Sequence, residues 1–502
     1  MGQRAKSFDP VVRKDLFLST PSNLLVMKFG GTSMGSAERI QVAARLTTEQ
    51  HAKRPVVIVV SAMSKVTDLL LDSMRKAEAG DEAGLEANLA ALTEKHETCC
   101  KHLLPASAHE AALTGVHALI AEFSRIAKGI LLLGERPLPA LDRAVAIGER
   151  LSALMMAAYL ESSGVRAAAV NAAQVIATDS VFGNATPLMD ETGKRATSVL
   201  GPLLEQKILP VVTGFNASTL DGRPTTLGRG GSDFSASILA AALGASELWI
   251  WTDVDGIMTA DPRLVPDARV LDAITYAEAA ELAYAGAKVL HPRTLAPLVE
   301  RGIPVWSKNS FAPEKPGTRI VPKIQAEGGP HAVTSMRDVA LVSIEPNGAA
   351  ISGARLMSEA LHALDAADVE LLAITSSSYR QNFCFLIRQS ELDRALKQIQ
   401  AEFAIELAHG YVKPPQVDTD VGLLAVVGEG MRGTPGLAGR IFTAISQHDI
   451  NIIAIAQGSS ELTIAIVVRR SGLENAVRAV HRECGLAERQ QGDRRQKTGD
   501  RI

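Results

Sequence analysis

The chain has 502 residues, of which 46% are hydrophobic, 21% charged and only 4% aromatic, and its formal net charge is -3. This length predicts about two to four folded units, and the composition is that of a globular protein. The weak negative charge gives no field for attracting nucleic acid, which excludes nucleic acid as a partner. No apolar run reaches membrane-spanning length and the first residues lack a signal-peptide core, so we expect no membrane association.

The four cysteines, at positions 99, 100, 384 and 484, form no C-x-x-C pair. This spacing argues against a zinc finger and against a disulfide framework, and it favours a reducing cytoplasm. His96, Cys99, Cys100 and His102 do cluster. We expect them to lie on a polar helix surface, and we predict no protein-bound metal.

Residues 24–320 alternate short apolar runs with helical patterns. The predicted buried strands are 24–27, 56–60, 167–170, 209–213 and 248–252, and Ala- and Leu-rich helices are predicted at 149–160 and 234–243. Near-continuous apolar strands that alternate with helices indicate a mainly parallel sheet covered on both faces. The fold class is therefore α/β, with three layers.

A Gly-, Pro- and charge-rich stretch at 321–330 precedes a unit that occurs twice. The first copy has predicted strands 340–344, 369–374 and 383–387 with helices 353–364 and 391–403. The second has strands 423–427, 450–455 and 462–468 with helices 436–445 and 473–484. This βαββα order is ferredoxin-like, and we interpret the repeat as paired modules. The charged tail from 487 is predicted to be disordered.

The motif KFGGTS at 28–33 directly follows the first predicted strand. Its two glycines let backbone N–H groups approach an anion, and Lys28 would add a point charge. It lacks the spacing of a Walker loop. A tight turn with a solvated lysine explains the motif equally well.

The stretch TTLGRGGSD at 225–233 combines three glycines with Arg229 at another strand end. Such glycines bring the backbone close to a ligand, and an arginine can bind a carboxylate through two hydrogen bonds. Ser232 or Asp233 is expected to cap the following helix. We favour a binding site over a surface salt bridge here.

Two further stretches carry polar side chains after strands. WTDVDGIMTADPR at 251–263 contains three aspartates, which suit metal or nucleoside contacts but also suit a turn-rich loop. His291, in KVLHPR, could serve as a general base. Since it precedes a proline, a structural cap is the preferred interpretation.

Taken together, these stretches resemble the aspartate kinases of the amino-acid kinase family. The matching motifs are KFGGTS at 28–33, VVSAMSKVTDLL at 59–70, GER at 148–150, TLGRGGSDFSA at 226–236, WTDVDGIMTADPR at 251–263 and GAKVLHPRT at 286–294. The repeated C-terminal unit resembles the tandem ACT regulatory domains of the same enzymes, with a βαββαβ fold. The resemblance implies a kinase domain at 23–325, ACT-like domains at 335–410 and 418–486, and an N-terminal extension at 1–22.

The resemblance implies transfer of the ATP γ-phosphoryl group to the β-carboxylate of L-aspartate, the first step of lysine, threonine and methionine biosynthesis, with Mg²⁺ carried by the nucleotide phosphates. The implied catalytic residues are Lys28 and Asp233. The implied substrate residues are Ser33, Thr67, Glu149, Arg229, Gly230, Gly231 and Ser232. The implied nucleotide residues are Lys28, Gly30, Gly31, Thr252, Asp253, Met258, Thr259, Ala260, Asp261, Pro262, Arg263, Lys288 and Val289.

The two ACT-like copies differ in the loops that bind effectors in the family. The second copy keeps the family pattern with Gln457, and the implied effector residues are Met431, Ile450, Asn451 and Gln457. The first copy has Thr375 or Ser376 where relatives have glutamine. Lysine, threonine, both or neither therefore remain open as effectors. These modules could instead mainly build a homodimer or homotetramer.

Three other functions compete with aspartate kinase. A glutamate kinase would share the phosphate loops, and an inactive amino-acid sensor should have lost Lys28, Arg229 or Asp233. We do not expect a bifunctional kinase–homoserine dehydrogenase, because the chain stops too early to include a dehydrogenase. The GEGMRG stretch at 428–433 matches a dinucleotide fingerprint, but no acid stands at the end of the next predicted strand. We therefore interpret it as the first loop of an ACT domain.

Overall fold

The computed structural model describes residues 23–287, 290–324, 328–348, 351–377 and 382–487. These residues form two compact units. The first runs to Asp253 and includes Ala296–Trp306, and the second comprises Val254–Leu295 and the chain from Ser307. The predicted extension at 1–22 and the tail beyond Ala487 lie outside the described residues, and the predicted domain limits stay predictions.

The elements up to residue 253 follow in chain order: β1 (Leu25–Phe29), α1 (Ala37–His51), β2 (Val56–Val60), α2 (Val66–Glu78), α3 (Glu82–Leu103), α4 (Ala106–Leu133), α5 (Leu138–Val145), α6 (Ile147–Ser162), β3 (Ala167–Val170), α7 (Met189–Glu205), β4 (Leu209–Thr213), β5 (Asn216–Ser218), β6 (Pro224–Thr226), α8 (Gly231–Ala242) and β7 (Glu247–Thr252).

The remaining elements also follow in chain order: β8 (Ala273–Thr275), α9 (Tyr276–Tyr284), α10 (Pro292–Val299), β9 (Val305–Asn309), β10 (Thr318–Val321), β11 (Ala332–Ile344), α11 (Gly353–Ala366), β12 (Ala373–Ser377), β13 (Asn382–Arg388), α12 (Leu392–Glu402), α13 (Ala404–Ala408), β14 (Gln416–Val427), α14 (Leu437–Ser446), β15 (Ile452–Gln457), β16 (Thr463–Arg469) and α15 (Leu473–Glu483).

The first unit is built on parallel strands in the order β3-β4-β2-β1-β7. Every residue of β1, β2 and β4 is buried, because helices cover both faces. Leu25, Met27 and Phe29 pack into a core shared with α1, α2, α3, α4 and α6, and α7 and α8 contact the sheet as well. The predicted parallel three-layer domain is confirmed, and β2, β3 and β4 have the predicted bounds.

Parallel strands place all their carboxyl ends at one edge of the sheet. The loops after β1, β2 and β7 therefore emerge side by side, since β1 pairs with both β2 and β7. A short antiparallel ribbon of β5 and β6 leads directly into α8. This edge is where an α/β sheet binds its ligands.

Within the second unit, the described residues form a six-stranded sheet in the order β12-β13-β11-β14-β16-β15. Each half has the predicted βαββα order, and β11 pairs antiparallel with β14 to join the halves. Helices α11 and α12 cover one half with an apolar core, and α14 and α15 cover the other. The last strand of the predicted βαββαβ order is reduced to an isolated bridge in each half, Pro346 to Val412 and Ala268 to Ala487.

The predicted strand at 369–374 is displaced to Ala373–Ser377. Asp368 has a positive φ of 52°, and the N–H of Val369 donates to the Leu364 carbonyl to close the end of α11. Residues 369–372 are therefore used to leave the helix. The first part of the apolar run at 369–374 therefore belongs to the turn after α11, and only its end belongs to β12.

The predicted polar surface around His96 is wrong. His96, Cys99 and Cys100 lie on α3 and are buried, with the Nδ1 of His96 2.7 Å from the Leu92 carbonyl oxygen. Burial lowers the pKa of His96 to about 4 and raises the pKa of Cys99 to about 12. In the described part of the chain, no group of three or more His, Cys, Asp or Glu side chains has a metal-binding arrangement.

The helices of the described residues contain no segment that is both long and apolar enough to cross a membrane.

Candidate functional site

A cleft of about 700 Å³ opens at the carboxyl ends of β1, β2 and β7 in the first unit. Twelve of the predicted site residues line it: Lys28, Gly30, Gly31, Thr67, Glu149, Arg229, Gly230, Gly231, Ser232, Asp233, Thr252 and Asp253. Stretches far apart in the chain therefore meet at one cavity.

Lys28 and Asp233 form an ion pair at the floor of this cleft. Nζ of Lys28 lies 2.6 Å from Oδ1 of Asp233, and the lysine side chain is 10% exposed. Lys28 is held by its backbone in the middle of the sheet, opposite Val59 and Ile250, while Asp233 lies in the first turn of α8. The pair keeps the ammonium in place without a bound anion.

The two glycines after β1 allow close approach of neighbouring loops. The N–H of Gly30 donates to the Trp251 carbonyl at 3.1 Å. A Cβ at position 31 would lie 3.2 Å from the Ala62 carbonyl oxygen. A side chain at position 31 would therefore push the loops after β1 and β2 apart.

Helix α8 begins at the cleft without a side-chain cap. Its N-cap is Gly230 in the left-handed conformation (φ 71°), and no side chain accepts a hydrogen bond there. The prediction that Ser232 or Asp233 caps this helix is therefore wrong, because Asp233 is paired with Lys28 instead. The N–H of Gly231 donates to the Gly228 carbonyl at 3.0 Å, but no side chain caps the next N–H groups of α8, which suits them to an anion.

Arg229 is exposed and, in the described part of the chain, makes no ion pair with an acidic side chain. The interpretation of a surface salt bridge is thereby not supported. Ser33, in contrast, is fully buried and its hydroxyl donates to the Trp251 carbonyl at 3.4 Å. Ser33 supports the loop and does not line the cleft.

Glu149 is a buried carboxylic acid at the wall of the cleft, only 3% exposed. Among the described residues no hydrogen-bond partner reaches its Oε2. Burial raises the pKa of Glu149 to about 8, against the hydrogen bonds from the Ala62 and Glu149 N–H groups and the charge of Lys28. A buried acid with one unsatisfied oxygen is suited to a ligand that brings a donor.

Asp142, on α5, supports the 225–233 loop and was missed by the sequence analysis. Its carboxylate accepts from the N–H of Gly183 at 2.8 Å and from the N–H and hydroxyl of Thr226 at 3.0 and 2.7 Å. The side chain is 1% exposed. No sequence motif marks Asp142, which is followed directly by Arg143 in a short helix.

The predicted nucleotide residues fall in two places. Thr252 and Asp253 line the cleft, whereas segment 258–263 belongs to the second unit. There Thr259 contacts His481, with 3.0 Å between Oγ1 and Nε2, and Ala260 is buried in the apolar core beside α14 and α15. Lys288 and Val289 lie outside the described residues.

Within 251–263 and its surroundings, several polar groups have structural roles. Asp255 accepts from Asn309 and Lys315, each at 2.6 Å, and Asp261 pairs with Arg263. His291 directly precedes α10, and its Nδ1 accepts a hydrogen bond at 3.3 Å from the N–H of Arg293, in the first turn of that helix. The predicted capping role of His291 is confirmed.

A second cavity, of about 250 Å³, lies in the second half of the six-stranded sheet's unit. Met431 and Gln457 line it, together with Thr434, the start of α14 and Glu461. Asn451 and Ile450 are not part of its lining, and Ile450 packs against Gly472 instead. The GEGMRG stretch thus contributes to a small pocket in an ACT-like module.

Comparisons with known sequences identify both parts of the chain. The Amino acid kinase family matches residues 23–309, and the ACT domain matches residues 424–484. Bifunctional aspartokinase/homoserine dehydrogenase 1 of Arabidopsis thaliana is 36% identical over 464 residues, which cover 91% of this chain and 50% of the relative. The chain therefore spans about half the length of that relative.

Two other proteins match over most of their own length. Aspartokinase 3 of Arabidopsis thaliana is 32% identical over 470 residues, covering 91% of this chain and 80% of the relative. Escherichia coli aspartokinase III with aspartate and ADP (R-state) has a TM-score of 0.79 at 28% identity, covering 92% of this chain and 99% of that chain. Its complex with lysine and aspartate (T-state) has a TM-score of 0.76 at 29% identity, with 92% and 100% coverage.

Proposed function

Because this chain belongs to the amino acid kinase family, we propose that it transfers the γ-phosphoryl group of ATP to the β-carboxylate of L-aspartate. The product would be 4-phospho-L-aspartate, the first intermediate toward lysine, threonine and methionine. The observation that carries this proposal is one cleft that combines the Lys28–Asp233 pair with Glu149 and Arg229. In the described part of the chain, Oε2 of Glu149 has no hydrogen-bond partner and the Arg229 guanidinium has no ion-pair partner. The similar E. coli aspartokinase III holds aspartate and ADP.

The chemistry of the acceptor agrees with the groups in the cleft. A carboxylate with a reference pKa of about 3.9 is ionised at neutral pH, so it needs no general base. The described part of the cleft contains no histidine. The difficulty is to bring an anion to a polyanion, and catalysis is then positioning plus charge neutralisation.

Lys28 is the group that neutralises the transferring phosphoryl group. Its ammonium is already fixed by Asp233 at 2.6 Å, so it needs little reorganisation when negative charge develops. Gly31 and the start of α8 would supply backbone N–H donors nearby, while the N–H of Gly30 is used by the Trp251 carbonyl. Because these donors come from rigid elements, little reorganisation is needed to align them with the phosphates.

Magnesium fits the cleft as an ion carried by the nucleotide. Mg²⁺ commonly binds through one or two carboxylates plus substrate phosphates and waters. Asp233, which pairs with Lys28, and Asp253 are two of the carboxylates that line the cleft, and Asp233 would orient the metal-bound phosphates. The ion would add a further positive charge between the two anions.

The acceptor would be selected by both of its ends. Arg229 has the geometry to bind the α-carboxylate through two hydrogen bonds, and Glu149 would accept from the α-ammonium. The ammonium would satisfy the Oε2 that lacks a partner and would favour the ionised form of Glu149. Thr67 and Ser232, in the first turns of α2 and α8, would complete this subsite.

The nucleotide would lie on the side of β7. Thr252 and Asp253 line the cleft there, and segment 258–263 with Lys288 and Val289 would complete the nucleotide site. Since Ala260 is buried in the core of the second ACT-like module, this segment is anchored to the regulatory part of the chain.

The second ACT-like module would bind an amino-acid effector in the cavity lined by Met431 and Gln457. Glu461 is the acidic group there, and its carboxylate already accepts from the N–H of Gly433 at 2.8 Å. E. coli aspartokinase III has been seen with lysine. Titration of lysine and threonine into the kinase assay decides between these effectors.

The protein would act in the cytoplasm as a homodimer or homotetramer assembled through the ACT-like modules. The edge strands β12 and β15 carry the partly exposed side chains Ile374 and Ile455, which suit pairing with another copy. Sedimentation equilibrium measures the oligomeric state. Replacing Ile374 by lysine should then favour the monomer.

Hydroxylamine trapping tests the proposed activity. Acyl phosphates react with hydroxylamine to give a coloured hydroxamate, so ATP, Mg²⁺ and L-aspartate should yield aspartyl hydroxamate. L-Glutamate under identical conditions is the matched control. Hydroxamate from neither acid would refute an acid kinase, and hydroxamate from glutamate alone would favour a glutamate kinase.

A further inference from the structure

Lys65 lines the cleft in a backbone conformation that disfavours lysine. It is the N-cap of α2 and has φ 66° and ψ 1°, the left-handed region. In that region glycine is the residue without a steric penalty, and a side chain has a cost. A lysine at this position therefore carries strain that glycine would relieve.

The ammonium of Lys65 has no counter-ion in the described part of the chain. Lys65 is exposed, and no ion pair joins it to Asp68, the cleft-lining acid that is nearest in sequence. Strained residues are concentrated at functional sites. An unpaired cation at the rim of a cleft built for anions has an electrostatic use there.

The loop that carries Lys65 lies on the acceptor side of the cleft. It follows β2, the neighbour of β1 opposite to β7, and so lies away from Thr252 and Asp253. The N–H of Ala62, three residues earlier, donates to Glu149. Thr67, two residues later, lines the same cleft.

The charges of the proposed acceptor leave one group without a partner. L-Aspartate has two carboxylates and one ammonium. Arg229 would take the α-carboxylate and Glu149 the ammonium, while Lys28 is already paired with Asp233. The side-chain carboxylate has no dedicated cation in this arrangement.

We propose that Lys65 binds the side-chain carboxylate of the acceptor amino acid and is the second cation of the acceptor subsite. This inference rests on the proposed function. The lysine would hold the nucleophile ionised and in place, and it would discriminate against acceptors without a second carboxylate. No bond is made or broken at Lys65.

A glycine substitution separates this role from a structural one. Lys65→Gly relieves the left-handed strain, so Tm should rise, yet KM for L-aspartate should increase about tenfold because a charged contact is lost. KM for ATP should not change. Lys65→Met keeps the strain and the unbranched side chain up to the position of Cε but removes the ammonium, and it should show the same KM defect without the gain in Tm.

Lys207 provides the matched control. It is also an exposed lysine with positive φ (54°), but it precedes β4 and so lies at the opposite edge of the sheet. Lys207→Gly removes the same charge and the same strain, so Tm should rise with aspartate kinetics unchanged. An equal KM for L-aspartate in Lys65→Gly and Lys207→Gly would overturn the inference.

L-Asparagine identifies which carboxylate Lys65 contacts, since it lacks only the side-chain charge. Its dissociation constant, measured by calorimetry beside that of L-aspartate, should be the same in wild type and Lys65→Gly. Equal weakening of both ligands, or a changed KM for ATP instead, would refute the assignment. If the wild type turned over no aspartate, the proposed function would fail, and the two dissociation constants would still decide the role of Lys65.

Discussion

The backbone N–H of Glu429 donates to Oε1 of Glu278 at 2.7 Å. Glu278 is fully buried and also accepts from Nδ1 of His331 at 2.6 Å, while its other oxygen caps α9 through the N–H and hydroxyl of Thr275. One carboxylate therefore joins the GEGMRG loop to the start of α9.

Replacing Glu278 should loosen this junction. Burial would raise the pKa of Glu278, but the hydrogen bonds from His331, Thr275 and Glu429 hold it below its ordinary value of 4.5. The ionised form is thus favoured in the folded state, and its stabilisation should be present above pH 4.5 and be lost as the pH falls through the lowered pKa. Glu278→Gln should lower stability at pH 7 by about 2 kcal/mol or more, because donors lose their acceptor.

Urea unfolding followed at pH 7 and at pH 4 measures this effect. Glu281→Gln is the control, since Glu281 accepts only from the Thr463 hydroxyl, at 2.9 Å, in the described part of the chain. Glu281→Gln should lower the free energy of unfolding clearly less than Glu278→Gln does. Equal urea midpoints for Glu278→Gln and wild type at pH 7 would contradict a stabilising role of Glu278 at this junction.

Lys28→Ala should abolish turnover far more than nucleotide binding. Loss of a preorganised charge that acts on the transition state costs about 10²–10³-fold in kcat or more. The dissociation constant of ATP should change only a few-fold, because backbone donors and Mg²⁺ still hold the phosphates. Single-turnover kinetics and nucleotide titration measure the two effects, and a near-normal kcat would remove Lys28 from its role.

Arg229→Ala should chiefly raise KM for L-aspartate, by about 10–100-fold, since a bidentate contact with a carboxylate is lost. KM for ATP should stay the same. Arg223→Ala is a control for charge: Arg223 pairs with Asp221 and lies over the ring of Phe182, and it does not line the cleft. Equal aspartate kinetics in the two variants would exclude Arg229 from the acceptor subsite.

The pKa of about 8 for Glu149 predicts the pH dependence of acceptor use. Only the carboxylate form binds an ammonium, so kcat/KM for L-aspartate should rise with pH and level off above about 8. Glu149→Gln should be poorly active and lose this rise. A wild-type profile that is flat between pH 6 and 9 would contradict the assignment of Glu149.

The contribution of Glu149 to the free energy of unfolding should fall as the pH rises, whereas kcat/KM rises. Because the pKa of Glu149 is raised from 4.5 to about 8, the folded state binds the extra proton, and its stabilisation is lost as the pH rises through that range. Glu149→Gln removes the titration. Its free energy of unfolding should therefore exceed that of wild type most clearly above pH 8, as measured by urea unfolding.

The regular part of the fold could be predicted because burial leaves a simple pattern. Strands β2 and β4 are buried apolar runs and β3 is a partly buried apolar run, and the predicted bounds of all three agree with the structure. The strand at 369–374 was misplaced because a turn at Asp368, with its positive φ, has no apolar signature. His96 and the cysteines beside it were misplaced because polar types on one helix face look exposed in a sequence.

The cleft residues could be predicted from motifs, but their supports could not. Glycine-rich stretches with Lys28 and Arg229 mark an anion site through their chemistry alone. Asp142 acts through Gly183 and Thr226, which are brought to it only by the folded chain. The strain at Lys65 is likewise a backbone property that appears only in coordinates.

The ratio of kcat/KM for L-aspartate to that for L-glutamate, from ATP-dependent hydroxamate formation, tests the central claim most directly. A cleft that positions Arg229, Glu149 and Lys28 around a four-carbon acid should prefer aspartate by at least about 100-fold, because one extra methylene displaces the nucleophile from the phosphoryl group. Lys28→Ala should remove the signal for both acids. A ratio near one, or a preference for glutamate, would contradict aspartate kinase activity.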